Sequence, residues 1–343
     1  MFATYVHNLD PIAMPIYKDF ALRWYGLAYL LGFVAGFLLL RSFARRGLWV
    51  LKPEKTADFI AAAALFGVFL GGRIGYILFY HVRKAGWGSL VEDPLLVFRV
   101  WEGGMASHGG ILGLVVFTWF YAHKEKVTWT GLGDGLCVVA PLGLMFGRIA
   151  NFVNGELYGR VVRGFDWAIK FPLTMVDGNA PESARFNETA AAAARAEPKL
   201  GAAYQAMEAS TNQDYPQAKS DYFEALLDAN RHSPAVSEAI APYLEPRHPS
   251  QLYEAILEGL LLFIILYAVR VKFPKAPDGL LTGLFFALYA AFRIFGEHFR
   301  EPDAALVGAF SMGQLLSFFM FAFAAAFLFH AWRGWKKEVL PKH

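Results

Sequence analysis

Apolar residues in this chain run in long stretches, and neither the alternation of a half-buried strand nor the one-face spacing of a surface helix dominates. Seven stretches, roughly 22–40, 58–80, 103–122, 133–153, 250–269, 279–298 and 306–332, are each close to the length a helix needs to cross a bilayer. The pattern predicts an all-α polytopic membrane protein with seven transmembrane helices. Between the fourth and fifth stretches the hydrophobicity lapses over about 155–248. From near Asp177 that segment is rich in Ala, Glu, Asp and Asn, with runs such as Ala190 to Ala194 that read as short surface helices broken by Pro198, Pro216 and Pro234. Three parts follow: helices one to four over 1–154, a small extramembrane head over 155–248, and helices five to seven over 249–343. The head reads as a solvated spacer in preference to a docking surface.

Composition supports this reading. The 343 residues are 56% hydrophobic and 18% charged, with a mean hydropathy of +0.35, where a soluble domain carries about 25% charged residues. A free-standing soluble enzyme is excluded. The single cysteine, Cys137, lies in an apolar stretch and rules out a disulfide scaffold or a cysteine metal cluster. A net charge of +3 gives no indication of nucleic-acid binding. Charge placement is more informative. One set of short connections holds fourteen Lys and Arg (Arg41, Arg45, Arg46, Lys52, Lys55, Lys124, Lys126, Arg270, Lys272, Lys275, Arg333, Lys336, Lys337, Lys342), whereas the opposite set holds six (Lys18, Arg23, Arg83, Lys84, Arg99, Arg300). By the positive-inside rule the C-terminus is cytoplasmic and the N-terminus periplasmic. The head is then periplasmic, with a net charge of −6 over 177–246. The stretch before Trp24 lacks the basic region and cleavage site of a signal peptide, so the first span is expected to stay as an anchor.

Three arginines, Arg73, Arg148 and Arg293, fall inside predicted spans. At the centre of a span each costs at least about 2.5–3.5 kcal/mol. With the helical rise, each lies roughly 9 to 10 Å below the outer end of its helix, and His108 lies at about 7 to 8 Å. Asn151, Asn154, Glu156, Glu297 and Arg300 fall near the same level. Any one arginine could pair with Glu297 or snorkel to the headgroups, but few acids are expected at that depth for the whole set. Guanidinium forks suit phosphate oxygens, so the level reads as a site for an anionic phospholipid. The rows Gly32/Gly36, Gly67/Gly71 and Gly143/Gly147, with Gly109, Gly110 and Gly113, read as helix packing. Gly131-Leu-Gly-Asp-Gly135 has no preceding strand and is discounted as a dinucleotide loop. Pro141 predicts a kink in the fourth span.

The stretch Gly147-Arg-Ile-Ala-Asn-Phe-Val-Asn-Gly-Glu-Leu-Tyr-Gly159 resembles the signature of the bacterial prolipoprotein diacylglyceryl transferases. Further blocks are similar and occur in family order: Trp24-Tyr-Gly26, Gly71-Gly-Arg-Ile-Gly-Tyr76, Trp101-Glu-Gly-Gly-Met-Ala-Ser-His-Gly-Gly110, Arg247-His-Pro-Ser-Gln-Leu-Tyr-Glu254 and Phe292-Arg-Ile-Phe-Gly-Glu-His-Phe-Arg-Glu-Pro-Asp303. The segment 178–245 matches no family motif, and Glu102, Ala106 and Ser107 depart from the usual spelling. The resemblance implies a multi-pass enzyme of the bacterial inner membrane. It would move the sn-1,2-diacylglyceryl group of phosphatidylglycerol onto the lipobox cysteine of a prolipoprotein signal peptide and release glycerol 1-phosphate. No cofactor and no metal are implied.

For such an alkyl transfer, a thiol of pKa ~8.5 must become thiolate and the leaving phosphate must be stabilised. Arg148 and Arg293 are expected to clamp the phosphate, with Arg73 and Arg300 as nearby headgroup contacts. His108 is the expected general base, although the arginine field alone could also favour the thiolate. Asn151, Asn154 and Glu156 are expected to order the clamp and bind headgroup glycerol hydroxyls, Glu297 to hold an arginine fork, and Tyr25 to touch lipid or peptide. Cys137 is expected to be silent. The alternatives are an anionic-phospholipid transporter or flippase, a membrane acyltransferase and a structural scaffold.

Overall fold

The computed structural model describes residues 4–17, 20–99, 103–301 and 311–339. Lys18, Trp101, Glu102, Pro302, Asp303, Lys342 and the opening residues 306–310 of the seventh predicted span lie outside the described residues. Helices dominate: α1 (Trp24–Arg45), α2 (Pro53–Ala85), α3 (Ser107–Glu125) and α4 (Trp129–Asn154) precede the head. The head contributes α5 (Phe186–Ala196), α6 (Pro198–Glu208), α7 (Tyr215–His232) and α8 (Pro234–Ile240), and α9 (Ser250–Lys272), α10 (Leu280–Gly296) and α11 (Met312–Val339) complete the chain. Among the described residues, five helices are long and apolar enough to cross a membrane: α1, α2, α4, α9 and, within α11, Gly313–Lys336. α10 is apolar but shorter, and α3 has 19 residues.

The all-α expectation is corrected by two small sheets. β1 (Tyr5–Val6) pairs in parallel with β4 (Ile169–Lys170), which pairs antiparallel with β5 (Pro246–Arg247), while β2 (Ile12–Tyr17) and β3 (Phe20–Arg23) form an antiparallel pair. Strands of two residues carry no alternation to read, and the partners of β4 are remote in sequence.

The chain divides into two compact units. One comprises Met1–Leu30, Leu144–Gly259 and Ala291–Ser317. It includes the head, which is not the solvated spacer the composition predicts. Phe186, Ala190, Ala193, Leu200, Met207, Tyr222, Leu226, Val236, Ile240 and Leu244 bury a core there together with Val6 and Met175. The alanine run therefore supplies an inner helix face in place of a surface one. The prolines begin helices instead of breaking them: Pro198 and Pro234 are the first residues of α6 and α8 and Pro216 the second of α7, positions where no backbone N–H is needed.

The other unit comprises Leu31–Gly143, Leu260–Ala290 and Phe318–His343. Its glycine rows bring α2 and α3 together so closely that a Cβ on Gly75 would strike the Gly109 backbone and one on Gly113 the Gly67 carbonyl. Asp134, whose Gly131–Gly135 run is helical within α4, caps α10: its buried carboxylate accepts from Gly279 N (2.9 Å), Thr282 N (2.8 Å) and Thr282 Oγ1 (2.7 Å).

Candidate active site

In the unit that holds the head, three arginines meet one carboxylate. Glu254 and Glu258 project from the start of α9, where the residues following Glu254 widen into π-helical turns, a local form frequent at functional sites. Glu254, with no exposed side-chain surface, accepts Arg293 Nη1 at 2.5 Å, Arg148 Nε at 3.1 Å and Arg300 Nη1 at 3.1 and 3.2 Å on its two oxygens. Glu258, equally buried, lies 3.6 Å from Arg148 Nη2 and 3.7 Å from Arg293 Nη1. Arg293 Nη2 also meets Glu297 Oε1 at 2.5 Å, one turn along α10. Three arginines thus face three carboxyl groups, which corrects the expectation that few acids sit at this level. The sequence held the signal: Glu254 and Glu258 are four residues apart in an apolar span, and an intramembrane acid calls for a partner just as an arginine does.

The arginines differ in access. The Arg148 and Arg293 side chains keep 17% and 13% of their surface, whereas Arg300 keeps 4%. Arg300 is further fixed where its carbonyl accepts Arg160 Nε at 2.9 Å and its backbone bridges to Gly159. Its guanidinium is engaged on both oxygens of the Glu254 carboxylate. At Gly159 a Cβ would strike the carbonyls of His248 and Phe299, so this close backbone approach needs glycine. Arg247, 1% exposed, locks the same junction through Glu182, Gly159 O and Glu301.

A second group follows at the end of α4. Gly155 (φ 72°) turns the chain in a Schellman motif, with Gly155 N donating to Phe152 O and Glu156 N to Asn151 O. This turn aims Glu156 back at the helix, where its Oε1 accepts Asn151 Nδ2 at 3.0 Å and Asn154 Nδ2 at 3.3 Å. Asn151 Nδ2 also donates to the half-buried Tyr25 hydroxyl at 2.8 Å. Gln251, one turn before Glu254 and missed by the sequence reading, donates from Nε2 to Glu156 O at 2.7 Å. Asn151, Asn154, Glu156 and Tyr25 therefore form one network, and Arg148, Arg293, Arg300 and Glu297 another.

Arg73 and His108 belong to the other unit. Arg73 is 3% exposed and donates to four backbone carbonyls: Val97 (3.2 Å), Leu96 (2.5 Å), Gly103 (2.5 Å) and Gly104 (3.1 Å). It ties down the chain leading into α3. Gly104 (φ 78°) leaves room for that guanidinium and for the Tyr76 ring. His108 is the second residue of α3, exposed, and without a hydrogen-bond partner among the described residues. Cys137 is a free thiol on α4. Among the described residues no group of three or more His, Cys, Asp or Glu could hold a metal ion.

Residues 11–330 match the family model of prolipoprotein diacylglyceryl transferase. The chain is 38% identical over 337 residues to a phosphatidylglycerol-prolipoprotein diacylglyceryl transferase of Bdellovibrio bacteriovorus, covering 92% of this chain and 91% of that protein. It is 37% identical over 340 residues to the Escherichia fergusonii protein of the same name (97% of each), and 38% identical over 315 residues to that of Sodalis glossinidius (90% and 89%). With the arginine and carboxylate cluster assembled from three of the resembling blocks, the chain belongs to the prolipoprotein diacylglyceryl transferase family.

Proposed function

We propose that Arg148 and Arg293 form the phosphate clamp with which this chain carries out its family's reaction. The protein is a diacylglyceryl transferase of lipoprotein maturation: it moves the diacylglyceryl group of phosphatidylglycerol to the cysteine thiol of a prolipoprotein. Sulfur attacks the sn-3 carbon of the glycerol backbone, the carbon–oxygen bond to phosphate breaks, and glycerol 1-phosphate leaves. The reading is supported by one observation above all: Glu254 gathers three guanidinium groups, of which only Arg148 and Arg293 keep an accessible edge. Guanidinium groups held in advance stabilise charge developing on the departing phosphate without reorganising. Glu254, Glu258 and Glu297 hold the forks in place, and Asn151, Asn154, Glu156 and Tyr25 order the adjoining wall and meet the headgroup glycerol. His108 takes the thiol proton.

In this reading seven helices span the inner membrane, the N-terminus and the 155–248 head are periplasmic, and the C-terminus is cytoplasmic. The lipobox segment of a prolipoprotein signal peptide is the second substrate.

The test is mass spectrometry of a lipobox peptide incubated with the purified protein and phosphatidylglycerol. A thioether adduct matched by glycerol 1-phosphate is expected. Arg148→Ala or Arg293→Ala should reduce the rate about 10²- to 10³-fold while the protein still inserts. Full activity in both variants overturns the clamp. Lipid movement across vesicles with no adduct would instead favour a flippase.

A further inference from the structure

Residues 160–167 carry chemistry that neither the arginine cluster nor the core of the head uses. From Arg163 to Trp167 five consecutive residues are exposed, Trp167 at 76% and Phe165 at 39%. This tip is tethered at both ends: Val162 N donates to the Pro246 carbonyl at 2.8 Å, and the buried Ala168 leads directly into β4. Gly164 (φ 71°) makes the turn between them. Two large aromatic side chains are thus held out on a fixed turn, where water alone would leave them at a cost.

Ring contacts join the tip to the end of the apolar helix α10. Phe165 meets His248 at 5.2 Å between ring centroids, His248 meets Phe299 at 5.3 Å, and Phe299 meets Phe295 at 5.4 Å. Phe295, 55% exposed, is the penultimate residue of α10, and an outward-facing aromatic at the end of a membrane helix marks the headgroup level. Arg160 N donates to Phe299 O at 2.9 Å and ties the base of the tip to the same helix end. The aromatic surface of α10 therefore continues onto the tip.

Charge selects what covers it. Arg160 and Arg163 are exposed, and Asp166 is the one acid in 160–167, whereas 177–246 carries a net −6. Exposed aromatic rings flanked by arginines suit an anionic bilayer interface, where the rings sit among the headgroups and the guanidinium groups reach phosphates.

We propose that residues 160–167 are an interfacial anchor, which seats Phe165 and Trp167 among the phospholipid headgroups of the head-side leaflet and Arg163 on their phosphates. This surface meets bulk anionic lipid and is separate from the arginine cluster assigned to the reacting lipid.

The experiment uses the full chain with Cys137→Ala in phosphatidylcholine vesicles holding increasing shares of phosphatidylglycerol. A fluorophore is attached at Trp167→Cys, or at the exposed Asp228→Cys in the head as reference. Lipid carrying a nitroxide near its headgroup should quench the Trp167→Cys label several-fold more than the reference, and aqueous acrylamide several-fold less. Lipid quenching should rise with phosphatidylglycerol, and Arg163→Gln should remove most of that rise. Equal quenching of the two labels by both agents overturns the anchor, and so does acrylamide access at Trp167→Cys that closes only when lipobox peptide is added, which would assign the surface to the peptide. A phosphatidylglycerol dependence that survives Arg163→Gln overturns the phosphate contact. If Trp167→Cys does not insert, Phe165→Cys carries the same prediction. All of these results leave the transferase reading intact, because the peptide-transfer assay tests it separately.

Discussion

Glu254 is the residue on which the site turns, because one carboxylate holds Arg148, Arg293 and Arg300. Removing one partner of a buried ion pair costs about 3–5 kcal/mol, since the remaining charges stay buried. Glu254→Gln is therefore expected to lower thermal stability and, by letting the forks drift, to reduce transfer about 10²-fold. A melting curve and a peptide-transfer assay on the same preparation check both. A second residue-scale effect is a pH dependence at His7, which packs on the end of α4 and on Phe171 of the head. Burial lowers the His7 pKa to about 4, against its 2.7 Å bond to the Phe152 carbonyl, and its ring stacks on Phe171. The folded state then favours neutral imidazole. This stabilisation is complete above the unfolded pKa of about 6.5 and is lost as pH falls towards about 4, in total about 3 kcal/mol. Melting temperature followed across that window should fall more steeply for the unaltered protein than for His7→Asn. The arginines were legible in the sequence because a charge in an apolar run stands out. Glu254 carries the same signal, a charge in an apolar run, but its role as the arginines' shared partner shows only in the fold, and Gln251, a neutral amide, carries no signal of its own.

At the scale of elements, α2 and α3 owe their contact to Gly67, Gly71, Gly75, Gly109 and Gly113. Gly75→Leu would drive a side chain into the Gly109 backbone and should abolish stable insertion, whereas Gly26→Ala, where a Cβ meets nothing within 4 Å, should be tolerated. Detergent-stable yield of the two variants separates them. Helix positions were legible from hydropathy alone: the predicted stretch 133–153 lies within α4 (Trp129–Asn154) and 250–269 within α9 (Ser250–Lys272). The head was misread because alanine is ambiguous. Ala190 and Ala193 face a core whose large members, Tyr222, Leu226 and Ile240, come from later helices, and no local pattern shows that pairing. Asp134 is a further case, a helix cap supplied from 145 residues away.

At the scale of the whole molecule, the asymmetry of basic residues between the two sets of loops bears on the side of the membrane at which the chemistry takes place. Fourteen basic residues on one set of loops against six on the other predict a periplasmic head. With Cys137→Ala as background, a thiol placed by Asp228→Cys in the head should react with a membrane-impermeant reagent in intact cells, and one placed by Lys55→Cys should not. Labelling in the reverse pattern would invert the topology. The central claim is that Arg148 and Arg293 act on the departing phosphate and do not merely collect anionic lipid. Steady-state kinetics of Arg148→Lys, which keeps the charge and loses the fork, test this most directly. If the fork acts on the departing phosphate, kcat falls about 10²-fold and the KM for phosphatidylglycerol changes little. An unchanged kcat with a raised KM would contradict it, placing the arginine in uniform lipid binding.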